Sequence, residues 1–266
     1  MRGMPQIGFG TWPLRDQAGQ RTIEMALELG FRHIDTAQMY GNEDIAGAAI
    51  AASGLQPDEV FLTTKIHPDN ASPTRLRASA ERSRATLGRD IDLLLLHWPP
   101  APEVALVPIL DALAGCVDGG IARSIGVSNF TTEMMRVTKK HLGERVKVNQ
   151  VEFHPVLNQA KVLACSREID LPLVAYSPLA RGRATALPAV HQVARSLGRP
   201  ASAVVLRWIL QCGVKLVVKS ERRERCAEFL QAPEFELSRV QMEAIGAESH
   251  ANFRVVDHVP WKPQWD

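Results

Sequence analysis

The chain has only four cysteines, Cys116, Cys165, Cys212 and Cys226, too far apart for a CxxC redox pair or a zinc ribbon. They read as reduced and mostly buried side chains. No window supplies the ~18 consecutive apolar residues of a membrane span. The opening MRGMPQIGFGTWPLRD is punctuated by Gly and Pro where a secretory leader needs an unbroken apolar stretch, so the expected location is cytoplasmic, with no membrane partner. Charge of one sign is also lacking. With 31 Lys and Arg against 29 Asp and Glu, the net +2 gives little long-range pull on a polyanion, which argues against nucleic acid as a partner. Gly/Ser/Pro-rich linkers and low-complexity tracts are missing too, so nothing divides the 266 residues into separate domains. The histidines other than His97 show no HExxH or other ligand spacing, and no metal is expected. They read instead as satisfied or solvent-facing side chains.

What is present is an ordinary globular balance, 45% apolar and 23% charged, which excludes disorder, collagen and coiled coil. Eight short β-branched or leucine-rich runs, at 7–10, 33–37, 60–65, 91–98, 124–129, 146–153, 171–177 and 216–220, predict strands. The run from 91 has four successive leucines and no alternation, so both of its faces should be buried, as in a parallel sheet covered by helices. Helical spacing marks 19–29, 43–52, 74–87, 104–117, 132–141, 159–168, 201–211 and 222–230, with Asn42, Ser72, Thr131, Asn158 and Ser220 placed as caps. Eight strand–helix alternations in one length of ~250 residues predict a single-domain α/β fold, the (β/α)₈ TIM barrel. A doubly wound sheet would need a glycine fingerprint at its switch point, and Gly8-Phe9-Gly10 stops after two glycines.

A barrel does its chemistry at the C-terminal ends of its strands, so the polar residue that closes each apolar run is informative. Those residues are Asp35, Lys65, His97, Asn129, Gln150 and Tyr176 with Ser177, and Tyr40 in the following loop can fold back over Asp35. Burying a carboxylate, an ammonium and an imidazole side by side costs several kcal/mol per ion unless they pair, which predicts a coupled cluster. A tyrosine beside a lysine cation suits proton donation, since the cation should lower its pKa from ~10 toward the working pH. Asp35 would hold the lysine and His97 would steer a carbonyl oxygen toward Tyr40. The alternative is a structural ion cluster closing a barrel layer.

Seven segments then carry a family resemblance: Gly30-Phe-Arg-His-Ile-Asp-Thr-Ala37, Tyr40-Gly-Asn-Glu43, Thr63-Thr-Lys65, Ile91-Asp-Leu-Leu-Leu-Leu-His-Trp-Pro99, Ser124-Ile-Gly-Val-Ser-Asn-Phe130, Asn149-Gln-Val-Glu-Phe-His-Pro155 and Tyr176-Ser-Pro-Leu179. Together they resemble the aldo-keto reductases, and the start and the tail Gln264-Trp265-Asp266 are similar to the smaller, B type of bacterial 2,5-diketo-D-gluconate reductase, a group that also reduces methylglyoxal. The resemblance implies a catalytic tetrad of Asp35, Tyr40, Lys65 and His97 with Tyr40 as general acid, a small carbonyl substrate and a monomer. It further implies that Ser128, Asn129 and Gln150 hold the nicotinamide carboxamide, that Tyr176 stacks on the ring, and that Gly10, Thr11 and Trp12 run along it, with Ser177 and Leu179 nearby. Lys219, Ser220, Arg225 and Glu228 match the segment that binds the adenosine 2′-phosphate, which implies NADPH. Two positions depart from the family pattern: Val218 stands for a proline, and Phe229 stands for an asparagine at the adenine amide and offers a ring on which adenine would pack. Substrate contacts are expected from Trp12, Tyr40, His97 and Trp98. The tail tryptophans Trp261 and Trp265 are left between pocket and packing roles.

Two other readings stay open at this point. Lys65 at a strand end is where a Schiff-base aldolase keeps its amine, and related barrels serve as non-catalytic NADPH-sensing subunits. Ser128 lies in Gly126-Val-Ser-Asn-Phe130, not in GxSxG, so a serine hydrolase has no nucleophile elbow. The short loops at 98–102 and 179–187 predict an open mouth that suits small dicarbonyls and sugar-derived ketones better than steroids.

Overall fold

The computed structural model describes residues 3–101 and 103–266; Pro102, which the sequence reading put in the loop 98–102, lies outside them. Eight parallel strands close into a barrel in sequence order: β1 Ile7–Gly10, β2 His33–Asp35, β3 Phe61–Ile66, β4 Leu93–Leu96, β5 Ile125–Ser128, β6 Val146–Glu152, β7 Leu173–Tyr176 and β8 Lys215–Val218. Closure is made by β8 against β1, with Leu216 beside Ile7 and Val218 beside Phe9. The eight runs predicted from sequence all form strands, several of them shorter than predicted, with 91–98 reduced by two residues at each end and 171–177 by two at its start and one at its end.

β4 shows why such a run lacks alternation. Leu93 and Leu95 point into the barrel and join an inner cluster with Phe61, Val148, Val174 and Val217, whereas Leu94 and Leu96 point outward into the larger core beneath the helices. Both faces of the strand are therefore dry, and no polar residue has a place on it. Full burial of a leucine is worth ~2 kcal/mol, so these four side chains alone contribute several kcal/mol.

The outer ring consists of α1 Asp16–Glu28, α2 Glu43–Ala52, α3 Leu76–Leu87, α4 Leu106–Asp118, α5 Thr132–Leu142, α6 Ala160–Glu168, α7 Pro188–Leu197, α8 Ala201–Gln211, α9 Arg223–Leu230 and α10 Arg239–Gly246. Of the expected caps, Thr131 caps α5 by accepting from the Met134 N–H, whereas Asn158 and Ser220 lie just before the cap positions Gln159 and Arg222 and accept from Ala160 N and Arg222 N, each at 3.1 Å. The Ser72 hydroxyl accepts from the Arg75 guanidinium, and its backbone carbonyl accepts from the Leu76 N–H at the helix start. Asn42 does not cap α2; its side chain works elsewhere, as described below. Cys116, Cys165 and Cys226 are buried and free, and Cys212 is half-buried. Among the described residues no helix is long and apolar enough to cross a membrane.

Candidate active site

The parallel register places the polar strand ends on one rim. Asp35 closes β2 and pairs with Gly10 and Thr63, Lys65 lies next to last on β3, Ser128 closes β5 beside Gln150, and Tyr176 closes β7 beside Glu152. His97 follows β4 directly. Tyr40 comes from a single 3₁₀ turn, Gln38–Tyr40, which Gly41 ends in a left-handed conformation at φ 60°.

Two amides fix that turn: Gln38, which the sequence reading passed over, and Asn42, which it read as a helix cap. Gln38 accepts from His67 N at 2.8 Å and donates to the Ser79 and Ser83 hydroxyls of α3 at 2.8 Å each, tying the turn to the helix layer. Asn42 donates to the carbonyls of Thr11 (3.0 Å) and Leu14 (3.1 Å) and accepts from the Thr36 hydroxyl at 2.8 Å. The loop after β1 is thereby fastened to the loop after β2, which sets the Trp12 ring 5.4 Å from that of Tyr40. Neither role could be read from sequence, because the partners lie up to 45 residues away.

At the centre, Lys65 is fully buried and uses all three of its N–H bonds: an ion pair with Asp35, a bond to the Thr36 carbonyl at 2.9 Å, and a longer one of 3.5 Å to the Tyr40 hydroxyl. Burial works against the ammonium, but Asp35 and Tyr40 together outweigh it and raise its pKa. The second Asp35 oxygen accepts from the Gln150 amide at 2.7 Å. The Tyr40 ring meets His97 edge-on at 5.5 Å between centroids. His97 is held well below its ordinary pKa, first by burial and then by Lys65, and its Nδ1 has no hydrogen-bond partner. It is a neutral imidazole at neutral pH.

One expectation is corrected here. Lys65 does pull the Tyr40 pKa down, but burial of the hydroxyl is the larger effect and the net shift is upward. Tyr40 is thus a firmly protonated acid in the free protein, not one poised near neutrality. The structure also corrects Phe229: it is 1% exposed and packed in the main core, so it offers adenine no ring face. Trp98, expected against substrate, is 3% exposed, lying between His97 and Trp265, whose ring is 6.2 Å away. Trp12, by contrast, is 52% exposed. Trp261 packs against His67, so both tail tryptophans lie against residues at the ends of β3 and β4. His33 and His154 are buried with Nδ1 unpartnered, so those histidines are satisfied at one nitrogen only.

The far side of the same rim holds a set of amides and hydroxyls. Asn129, at φ 62°, donates to the His97 carbonyl and to Ser128 Oγ, and accepts from the Tyr176 hydroxyl at 2.8 Å; Ser128 donates to the Gln150 carbonyl. Among the described residues this leaves one lone pair on Asn129 Oδ1, the Gln150 Oε1 and one Gln150 N–H without partners, which complements a primary carboxamide with two donors and one acceptor. The residues present therefore fit a nicotinamide. Farther round, Thr11 is buried and bonds Asn42, Ser177 follows β7 at φ 49°, and Leu179 is half-buried. Beyond β8, Lys219 pairs with Glu221, Ser220 takes the Arg222 N–H, and the half-exposed Arg225 stands 3.8 Å from Glu228, which accepts from Ser202.

A family model described as the aldo/keto reductase family matches residues 3–248. The chain belongs to that family. An aldo-keto reductase of Mycolicibacterium smegmatis is 39% identical over 94% of this chain and 89% of its own length, and one of Mycobacterium tuberculosis is 40% identical over 91% and 86%. Among solved structures, one provisionally assigned as a 2,5-diketo-D-gluconic acid reductase B superposes with a TM-score of 0.94 at 37% identity, covering 99% of this chain and 94% of that one. The aldose reductase of Schistosoma japonicum gives 0.91 at 27% identity, covering 99% and 96%. Carbonyl reduction with a nicotinamide cofactor is the chemistry general to the family.

Proposed function

We propose that the protein is an NADPH-dependent reductase of aldehydes and ketones, acting on small dicarbonyls such as methylglyoxal and on sugar-derived ketones such as 2,5-diketo-D-gluconate. The observation that carries this is the chain Asp35–Lys65–Tyr40 beside a neutral His97. When bound, the cofactor would supply the hydride that reduces the carbonyl carbon. Everything else is done by side chains. Tyr40 donates the proton to the carbonyl oxygen, and the Lys65 N–H already aimed at its hydroxyl stabilises the oxyanion that remains. Asp35 keeps Lys65 charged and aimed, and His97 hydrogen-bonds the carbonyl oxygen. Ser128, Asn129 and Gln150 would hold the carboxamide, Tyr176 would face the ring, and Lys219, Ser220 and Arg225 would take the 2′-phosphate. The substrate reading draws support from the fold match to the provisionally assigned 2,5-diketo-D-gluconic acid reductase B.

The aldolase alternative fails at Lys65. A Schiff base needs a free, neutral amine, whereas this one is fully buried, bonded through all three hydrogens and held charged. The test of the proposal is consumption of NADPH, with NADH in parallel, on adding methylglyoxal, with Tyr40→Phe as the control. The phenylalanine should still bind NADPH, as read by quenched tryptophan fluorescence, but lose roughly 100-fold or more of the rate. Equal turnover by the variant would remove Tyr40 from the scheme.

A further inference from the structure

Tyr40 and Lys65 do the chemistry, and each is bracketed by side chains that the chemistry does not use. Gln38 lies two residues before Tyr40 and Glu43 three after it, while Thr64 and His67 stand on either side of Lys65. These four residues are bonded in pairs. Glu43 Oε1 accepts from the Thr64 hydroxyl, and Gln38 Oε1 accepts from His67 N at 2.8 Å and from Asn70 Nδ2 at 3.1 Å. A third residue closes the set: Ser83 of α3 accepts from Gln38 Nε2 at 2.8 Å and donates to the other Glu43 oxygen at 3.2 Å. Both ends of the turn that carries Tyr40 are thereby joined to the strand end that carries Lys65, with one hydroxyl of α3 between the two joints.

Packing alone does not call for these groups. The buried face of α3 reads Leu76, Ser79, Ala80, Ser83 and Leu87, and a buried hydroxyl is costly unless it is bonded. Thr64 shares the outer face of β3 with Leu62 and Ile66, where a third apolar side chain would suit the surrounding core. Glu43, in the first turn of α2, would complement the helix dipole with its carboxylate in water. It turns inward instead, where burial raises its pKa against the pull of Thr64, Ser83 and Lys65. What this arrangement fixes is the bond from Lys65 to the Tyr40 hydroxyl, which at 3.5 Å is at the outer limit of a hydrogen bond and is lost on a small displacement of either partner.

We propose that Glu43, Gln38 and Ser83 are positioning residues that set the reach between the Tyr40 hydroxyl and Lys65, and through it the rate of proton transfer to the carbonyl oxygen. This rests on the reductase reading above and deepens it.

Three variants test it. Ser83→Ala removes one oxygen from the centre of the set, and Glu43→Ala removes the bonds to Thr64 and Ser83. Glu43→Gln keeps both contacts, since its amide can accept from Thr64 and donate to Ser83. With methylglyoxal and NADPH, kcat should fall on the order of 10- to 100-fold in Glu43→Ala and roughly 3- to 10-fold in Ser83→Ala, with KM for both ligands little altered. Glu43→Gln should recover most of the rate. The solvent deuterium isotope effect on kcat should rise in both alanine variants, because proton transfer is the step made slower. The placement itself has a separate readout. The chain has two tyrosines, Tyr40 and Tyr176, so tyrosine labelled with ¹³C at Cζ gives two resonances, which Tyr40→Phe assigns. The Tyr40 resonance should move in the alanine variants and return in Glu43→Gln, while that of Tyr176 stays. Should Glu43→Ala not fold, Ser83→Ala carries the test. An unchanged kcat in the alanine variants, or a Tyr40 resonance that stays in place, would make the three residues merely structural and overturn the assignment. A displaced Tyr40 resonance in a protein that reduces no carbonyl would uphold the placement and sink the reductase reading instead.

Discussion

A phenol beside an ammonium in a dry site feels two opposed influences, and at Tyr40 enclosure wins over the charge of Lys65. The acid is kept loaded, and the lysine acts later, on the oxyanion. At the far end of the cofactor groove the same competition between partners decides Arg225, whose nearest carboxylate, Glu228, stands off at 3.8 Å and is shared with Ser202. Such a loosely held guanidinium is free to fork onto a phosphate. Arg225→Ala should therefore raise KM for NADPH by about 10-fold or more and leave KM for NADH nearly unaltered, as read from initial rates. An equal effect on both would mean a surface role. At this scale the sequence was most readable where a polar residue closes an apolar strand, as Asp35, Lys65, His97 and Gln150 do. It was least readable for Gln38 and for the bonds Asn42 makes, whose value lies in partners far along the chain.

Among the elements, strands were found from their uninterrupted apolar runs and most helices from their spacing, while α7 and α10 were passed over. Both carried local signals. α7 has Pro188 at its first turn, Val190, Val193 and Ala194 on one face, and Gly198 in a left-handed conformation after its end. α10 opens with a capping box between Ser238 and Gln241. The proline-rich approach to α7 masked the first, and the short length of α10, only eight residues, masked the second. Packing between helices also overrides propensity at Gly47 in α2. A methyl group there would sit 2.4 Å from the Leu87 carbonyl oxygen at the end of α3. Alanine is the better helix former by ~1 kcal/mol, yet the clash is with backbone that cannot swing away. Gly47→Ala should thus destabilise by roughly 1–3 kcal/mol in urea unfolding. A gain in stability would show that the α2–α3 contact yields more readily than the barrel's packing suggests.

For the molecule as a whole, the barrel interior couples folding to pH through His33. It is buried on the inner face of β2, bonded to Thr63, and its pKa falls to about 4, chiefly through burial and further through Lys65 and Lys215, against the opposing pull of Asp35. The unfolded chain binds a proton below ~6.5 that the folded chain refuses until about pH 4, so stability is full above that window and is lost as pH falls through it. Between pH 7.5 and 4.5 this one residue should cost about 2 to 3 kcal/mol, and His33→Asn should lose that much less over the same interval. Unfolding midpoints at the two pH values measure it; parallel losses in both proteins would place the acid sensitivity elsewhere. That the fold is one closed ring was legible from eight runs in order, whereas the charge on any inward side chain depends on what surrounds it.

Closure of β8 on β1 joins positions about 200 residues apart. A ribosome adding ~5–20 residues per second reaches β8 roughly 10–40 s after releasing β1. Through that interval one edge of β1 has no neighbour, and the nascent chain is an open sheet with an exposed apolar border. The hazard for this protein therefore lies in its birth more than in its finished state, and its yield in a cell should track how well chaperones shield that border until the last strand arrives.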